Sequence, residues 1–207
     1  MFKDETRENY YSLILLDDYM EGHKGFICGG CFKNIFNKEP IKDIDIFFKN
    51  LEDWNEAVNY FDELCNAGDY RFVYENPKVK AYKCIKSGMQ IELCRSIFGD
   101  PKDILKQFDF TITKFAYYKH VYEDEENELH LEYRVLFDDN FFEHLHMKRL
   151  VVDDLIPFPI STFERIIRYA KYGYFPCRET KIKVLKAINE LPMEAIDISQ
   201  SLYDGMD

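Results

Sequence analysis

Two adjacent glycines, Gly29 and Gly30, restrict the possible folds more than any other feature of this sequence. The apolar run 25–28 before them predicts a short strand, and the segment 31–36 after them predicts a helix that begins at the turn. Glycine allows the backbone to approach a ligand closely, and the N–H groups at a helix start favour anions. We therefore expect a strand–turn–helix unit whose turn can contact a phosphate.

Two aspartates follow the glycine pair after an interval of twelve residues. Asp43 and Asp45 alternate with isoleucines in a predicted strand, so both carboxylates project from one face. Such a pair suits Mg²⁺ or Mn²⁺, because these ions prefer oxygen ligands. Glu92, in another alternating strand, is the candidate for a third carboxylate. On its own, the aspartate pair is more typical of an edge strand with two exposed aspartates; the glycine pair at this spacing favours the metal site.

The remaining pattern predicts a mixed α/β first part followed by helices. We place the boundary between residues 137 and 138, which gives domains 1–137 and 138–207. The predicted helices cover 5–20, 51–66, 101–108, 141–150, 161–172 and 178–191, and the predicted strands cover 70–74, 79–85 and 89–94, with strand or mixed segments at 111–118 and 129–137 around an acidic loop at 123–128.

Composition excludes several classes of protein. With 46% hydrophobic residues the 207-residue chain is too apolar for intrinsic disorder, and no apolar run is long enough for a membrane-spanning helix. A net charge of −11 argues against coating of nucleic acid by a basic surface. The charged N-terminus and six scattered cysteines favour a cytoplasmic location. Cys28 and Cys31 also have the spacing of a redox dithiol, without a thioredoxin-like context.

The segment that contains both motifs resembles a known signature. The run GGCFKNIFNKEPIKDIDIF is similar to the signature of class II tRNA nucleotidyltransferases, which include CCA-adding enzymes, and of bacterial poly(A) polymerases. In this alignment Lys33 stands at an arginine position and Asn34 at an aspartate position, while residues 42–45 match Lys-Asp-x-Asp.

Two further matches follow in the expected order. The run DFTITKFAY, which begins at Asp109, resembles the family's Arg-Arg-Asp-Phe-Thr motif, and residues 91–95 resemble the Val-Glu strand before it. The run RIIRYA at 165–170 is similar to the arginine-containing neck helix. Gln107 and Phe108 replace the two arginines before the aspartate, and Thr162 replaces the first arginine of the neck motif.

The resemblance implies an α+β fold: a polymerase-β-like nucleotidyltransferase head, with a mixed sheet and flanking helices, followed by a small helical neck. It implies that the chain holds the catalytic half of the family and lacks the half that grips tRNA. It also implies roles for the matched residues: metal binding and catalysis by Asp43 and Asp45, catalysis by Glu92, and nucleotide binding by Gly29, Gly30, Lys33, Asp109, Arg165 and Arg168.

The expected activity is a Mg²⁺- or Mn²⁺-dependent nucleotidyl transfer from an NTP such as ATP. The acceptor hydroxyl belongs to an RNA 3′ end, a protein or a small molecule, and pyrophosphate is released. The alternative is an inactive protein that retains the fold and binds nucleotides or other partners, which the missing arginine pair favours and the retained carboxylates oppose. We expect no membrane partner.

Overall fold

The computed structural model describes residues 1–124 and 126–192. It divides into two compact units, which are described separately below. The first unit contains Met1–Phe108 and Thr113–Asp139, and the second contains Asp109–Ile112 and the chain from Asn140 onward. The division after Asp139 lies close to the predicted boundary at 137, but the short segment Asp109–Ile112 belongs with the second unit.

The described residues of the first unit form eight strands and three α-helices, besides short 3-10 helices. In chain order they are β1 (Phe2–Thr6), β2 (Phe26–Cys28), α1 (Cys31–Asn37), β3 (Asp43–Phe48), α2 (Leu51–Ala67), β4 (Tyr70–Glu75), β5 (Val79–Cys84), β6 (Gln90–Phe98), α3 (Pro101–Lys106), β7 (Phe115–Glu123) and β8 (Leu129–Asp138).

All eight strands belong to one mixed sheet, in the order β1-β8-β7-β2-β3-β6-β5-β4. β3 and β6 pair in parallel, and the other neighbours pair antiparallel. A mixed sheet with flanking helices is the predicted α+β class, which is thereby confirmed.

The two faces of the sheet have separate apolar layers. On one face Ile44, Ile46 and Leu93 are buried near α2, whose Trp54 donates its indole N–H to the Leu93 carbonyl at 3.2 Å. The opposite face carries a second buried cluster, formed by side chains of β2, β3, β6, β7 and β8 with Ile104 and Leu105 of α3. The carboxylates of the predicted site lie on this second face, because they alternate with the isoleucines.

The N-terminal prediction was wrong in part. Instead of one helix over 5–20, β1 pairs antiparallel with β8, and two 3-10 helices follow at Arg7–Asn9 and Tyr11–Tyr19. Leu13 and Leu16 are buried at the three-residue interval of a 3-10 helix, whereas Ile14 is half exposed. Strand β1 depends on pairing with residues 128 to 136 positions away, which local periodicity does not reveal.

The second unit is mainly helical. It contains α4 (Phe141–His146), β9 (Arg149–Leu150), α5 (Pro159–Ala170), β10 (Phe175–Pro176) and α6 (Arg178–Asn189). The helix predicted over 141–150 ends early, since Lys148 has a φ of +51° and β9 pairs in parallel with β10. The C-terminal part of the predicted neck, 193–207, lies outside the described residues. In the part of the chain that is described, every helix is too short or too polar to cross a bilayer.

Candidate functional site

The parallel pairing of β3 and β6 aligns the predicted carboxylates. Asp43 is opposite Gln90 and Asp45 is opposite Glu92, so the four side chains occupy one face of two adjacent strands. Asp43 is exposed, while Asp45 and Glu92 are partly exposed. The register therefore brings Asp45 and Glu92, which are 47 positions apart in the sequence, side by side on the sheet.

Glu92 is held in place by two neighbours. Its Oε1 accepts a hydrogen bond from Gln90 Nε2 at 2.7 Å and another from the Tyr74 hydroxyl at 2.8 Å. Tyr74 of β4 is paired with Ala81 of β5, and Ala81 is paired with Glu92 of β6. The Tyr74 side chain therefore reaches Glu92 across the small side chain of Ala81. Burial and the hydrogen bond to Glu92 raise the pKa of Tyr74 above its usual value, so the phenol remains a donor.

Three buried thiols adjoin the carboxylates. Burial raises the pKa of Cys28, Cys31 and Cys94 well above the usual range, and the charge of Asp45 acts on all three in the same direction. Asp43 and Glu92 also act on Cys94, which places the three carboxylates in one electrostatic neighbourhood. A redox dithiol needs a lowered thiol pKa, so the environment of Cys28 and Cys31 opposes that interpretation.

The glycine turn lies directly beside Asp45. Gly29 has a φ of +103°, and a Cβ at this position would be 3.5 Å from Asp45 Oδ2 and 3.1 Å from the Phe108 ring. Its N–H donates to the Phe115 carbonyl at 3.1 Å. Gly30 has an ordinary φ of −69°, and a Cβ there would meet nothing within 4 Å. The fold itself requires glycine at position 29, whereas position 30 faces open space.

Lys33 is buried in α1 and makes local contacts. Its ammonium donates to Asn34 Oδ1 and lies 3.3 Å from Glu39 Oε2. The cation that the alignment places at the family's arginine position is therefore partly neutralised by an acidic neighbour.

The donor set of the carboxylate face fits a hard divalent cation, because Asp43, Asp45 and Glu92 offer only oxygen ligands. A different set of residues has its potential ligand atoms closest together. Within residues 1–124 and 126–192, the three side chains whose ligand atoms all lie within 4.8 Å of one another are Asp124, Glu128 and His130, at the turn between β7 and β8. There the Asp124 carboxylate accepts hydrogen bonds from the N–H groups of Glu126 and Glu128 and contacts His130. These hydrogen bonds explain why the three side chains lie close together without a metal ion.

A second cluster lies within the second unit. Asp109 is buried; its Oδ1 accepts from the Phe110 N–H at 2.9 Å, and its Oδ2 accepts from Thr162 Oγ1 at 3.3 Å and Arg165 Nη1 at 3.2 Å. Thr162 and Arg165 are one turn apart on α5 and donate hydrogen bonds to the same carboxylate oxygen. Arg168, one turn further along, is exposed.

Sequence analysis missed Tyr74 and Gln90, the two residues that orient Glu92. Gln90 was detectable, because it precedes Glu92 by two positions on the same strand face. Tyr74 was not detectable, since its approach to Glu92 depends on the order of three strands.

Solved structures with a similar fold are CCA-adding enzymes. One in complex with ATP has a TM-score of 0.59 at 17% identity, covering 92% of this chain and 47% of the enzyme. The Thermotoga maritima enzyme in complex with tRNA has a TM-score of 0.56 at 16% identity, covering 92% and 46%. The resemblance to tRNA nucleotidyltransferases therefore holds at the level of the fold.

Sequence comparison identifies a different family. A curated relative, Gabija anti-defense 2 of Bacillus phage SPbetaL7, is 23% identical over 192 residues, which are 92% of this chain and 44% of the relative. The chain thus spans less than half the length of this relative. The family model described as "Gabija anti-defense 2 family protein" matches residues 1–148 of the 207. Since the match covers more than half of the sequence, the chain belongs to the Gabija anti-defense 2 family.

Proposed function

We propose that this protein counteracts the Gabija defence system as a metal-dependent nucleotidyltransferase, which transfers a nucleotide from an NTP to an acceptor hydroxyl and releases pyrophosphate. The observation that carries the proposal is the register of β3 and β6, which sets Asp45 beside Glu92 with Asp43 on the same face. The family name supports the anti-defence role, and the fold shared with CCA-adding enzymes supports the reaction class.

Each residue of the carboxylate face has a role in this proposal. Asp43 and Asp45 would hold Mg²⁺ or Mn²⁺, and Glu92 would complete the carboxylate set in the orientation that Tyr74 and Gln90 impose. When bound, the ion supplies positive charge against the triphosphate. The open space at Gly30 lets the phosphates approach the backbone. Catalysis then rests on positioning of the hydroxyl for in-line attack, with no covalent step through the protein.

In the second unit, Arg168 is the stronger candidate for nucleotide contact. Arg165 already donates to Asp109, whereas Arg168 is an exposed cation one turn away. We propose that Asp109 and Arg165 hold α5 in position and that Arg168 binds the nucleotide. The nucleotide-binding role of Lys33 stays a prediction, since its ammonium contacts Asn34 and Glu39.

The acceptor is an RNA 3′ end, a protein hydroxyl or a small molecule. Solved structures of CCA-adding enzymes hold tRNA, ATP or CTP, while the family name points to a protein of the Gabija system. For this chain we favour the protein acceptor, in the cytoplasm.

The decisive experiment incubates the protein with each α-labelled NTP and Mg²⁺, in the presence of total RNA or purified Gabija proteins. We expect label on one of these acceptors, and Asp45→Asn should reduce transfer by about 100-fold or more, because an amide is a weaker ligand than a carboxylate for the divalent ion that would neutralise the charge of the triphosphate. The matched control is Asp100→Asn, an exposed aspartate outside the carboxylate face. Equal transfer by both variants would contradict the mechanism.

A second candidate function is binding without catalysis. This candidate is favoured by Phe108, which replaces an arginine of the family pattern with an apolar ring. The ring lies near Gly29 and packs against Phe47, with ring centroids 5.8 Å apart. A protein that protects phage from Gabija when it carries Asp45→Asn would support this candidate, whereas loss of protection together with transfer supports the enzyme.

A further inference from the structure

The ends of β7 and β8 form a two-stranded ribbon to which no third strand is paired among the described residues. At the base of the ribbon, Lys119 donates to the Met20 and His23 carbonyls, and the Arg7 guanidinium lies over the Tyr133 ring. β2 pairs with β7 only at Ala116 and Tyr117, and β1 pairs with β8 only over residues 134–138. The pairing of β7 with β8 nevertheless continues to Glu123 and Leu129. We call the strand ends 119–123 and 129–133, together with Asp124 and residues 126–128 of the turn that joins them, the distal ribbon; the turn is its tip.

One face of the distal ribbon carries three aliphatic side chains that are open to solvent, with Glu123 opposite the last of them. Val121 and Leu131 are directly opposite each other and are 58% and 57% exposed, and Leu129, next along the same face, is 71% exposed. On the other face Tyr122 stacks between His120 and His130, with ring centroids 5.9 and 5.5 Å apart. The three aliphatic side chains stay more than half exposed in the described part of the chain, and grouped apolar side chains of this kind mark interaction surfaces.

The tip of the ribbon is strongly acidic. Residues 123–128 contain five carboxylates and no cation. Asp124 organises the turn through its bonds to the N–H groups of Glu126 and Glu128, while the side chains of Glu123, Glu126 and Glu128 are exposed. The charge of these three glutamates is therefore presented to solvent, while Asp124 closes the turn.

This combination of surfaces selects one kind of partner. Nucleic acids and anionic membranes would be repelled by the tip. A protein surface with an apolar centre and a rim of lysine or arginine complements both the leucines and the carboxylates.

We infer that the distal ribbon is a docking arm for such a protein surface and, on the basis of the anti-defence role proposed above, that this surface belongs to a Gabija protein. The arm would seat its aliphatic face on the apolar centre, and its acidic tip would steer the encounter and fix the orientation.

The test measures the affinity of purified Gabija proteins for the wild-type chain and for two ribbon variants. Leu129→Ser with Leu131→Ser removes the aliphatic contact, and Glu126→Lys with Glu128→Lys reverses the charge. Each pair should raise Kd by about tenfold or more, because central apolar and complementary charged contacts dominate interface energies. Added salt should weaken the binding of the wild type, and the charge variant should no longer show this salt dependence.

Matched controls make the same chemical changes at exposed sites of the same unit. These are Leu51→Ser with Ile85→Ser, and Glu52→Lys with Glu63→Lys. Both controls should bind with the wild-type Kd. If the serine variant loses its fold, the charge variant, which alters only exposed side chains, still tests the inference.

Three results would overturn the docking arm. They are wild-type affinity in both ribbon variants, absence of any binding by the wild type, and a change only in self-association, which would make a second copy the occupant. Binding retained by Asp45→Asn and lost by the ribbon variants would uphold the arm even if nucleotidyl transfer fails. Transfer of label without ribbon-dependent binding would remove the arm alone.

Discussion

At the scale of single residues, the two hydrogen-bond donors to Glu92 distinguish the candidate site more clearly than the carboxylates alone do. Tyr74 and Gln90 donate to the same Oε1, so they orient this carboxylate and leave Oε2 to other partners. Groups that orient a metal-binding carboxylate typically change metal affinity by 10- to 100-fold when they are removed. Tyr74 is accordingly a positioning residue in the proposed reaction.

We predict that Tyr74→Phe raises the Mg²⁺ concentration required for half-maximal transfer by about tenfold, because the phenol O–H no longer fixes Glu92. A Mg²⁺ titration of the transfer rate measures the effect, and saturating Mg²⁺ should restore most of the rate. The control is Tyr11→Phe, at an exposed tyrosine of the same unit. A loss of rate that excess Mg²⁺ does not rescue would argue against a positioning role.

At the scale of elements, helix α5 contributes both an anchor and an exposed cation. Thr162 and Arg165 bind Asp109, which belongs to the short segment Asp109–Ile112 of the same unit. Arg168 lies one turn beyond Arg165 and is exposed. The spacing of three residues, which was visible in the sequence, thus places Arg165 on Asp109 and leaves Arg168 exposed for the nucleotide contact that we propose.

Arg168→Ala should weaken NTP binding by about tenfold, the usual effect of losing one charge-assisted hydrogen bond to a phosphate. Equilibrium binding of a labelled NTP gives the Kd. Lys171→Ala, an exposed cation just after the same helix, serves as the control and should leave the Kd unchanged. Equal affinities for all three proteins would show that the neck does not bind the nucleotide.

At the scale of the whole molecule, one buried histidine links folding to pH. Nδ1 of His23 accepts the Gly25 N–H at 3.0 Å, and Nε2 lies 2.9 Å from the Tyr19 carbonyl, so the neutral ring with its proton on Nε2 satisfies both contacts. Burial lowers the pKa of His23 from 6.5 to about 4, with a smaller contribution from the Lys119 charge. Protonation would set an N–H against the Gly25 N–H.

Because the folded-state pKa of His23 lies below the unfolded-state value, the unfolded chain binds the proton first as the pH falls through 6.5. We predict that His23 contributes a loss of about 2 kcal/mol in the free energy of unfolding between pH 7 and pH 5. Urea unfolding at the two pH values measures it, and His23→Gln should remove that part of the pH dependence. The same pH dependence in the variant as in the wild type would contradict the prediction.

Several elements could be predicted from local pattern alone. Strand β3 and helix α2 were predicted because alternation and helical periodicity are properties of neighbouring residues. The start of the chain could not, since β1 exists only through its pairing with β8. The early end of α4 was missed for the same reason, because β9 needs β10 as its partner.

The sequence by itself determined the chemistry that this protein can offer: a glycine turn, two aspartates on one strand face and an acidic loop, all encoded by residues close together along the chain. Only the tertiary structure decided how these groups combine. It aligned Glu92 with Asp45, bound Lys33 to Glu39 and bound Arg165 to Asp109. Among the described residues it also left the end of the distal ribbon without a third strand. The reason is that strand order and register bring together residues far apart in sequence, and local periodicity carries no information about such pairing.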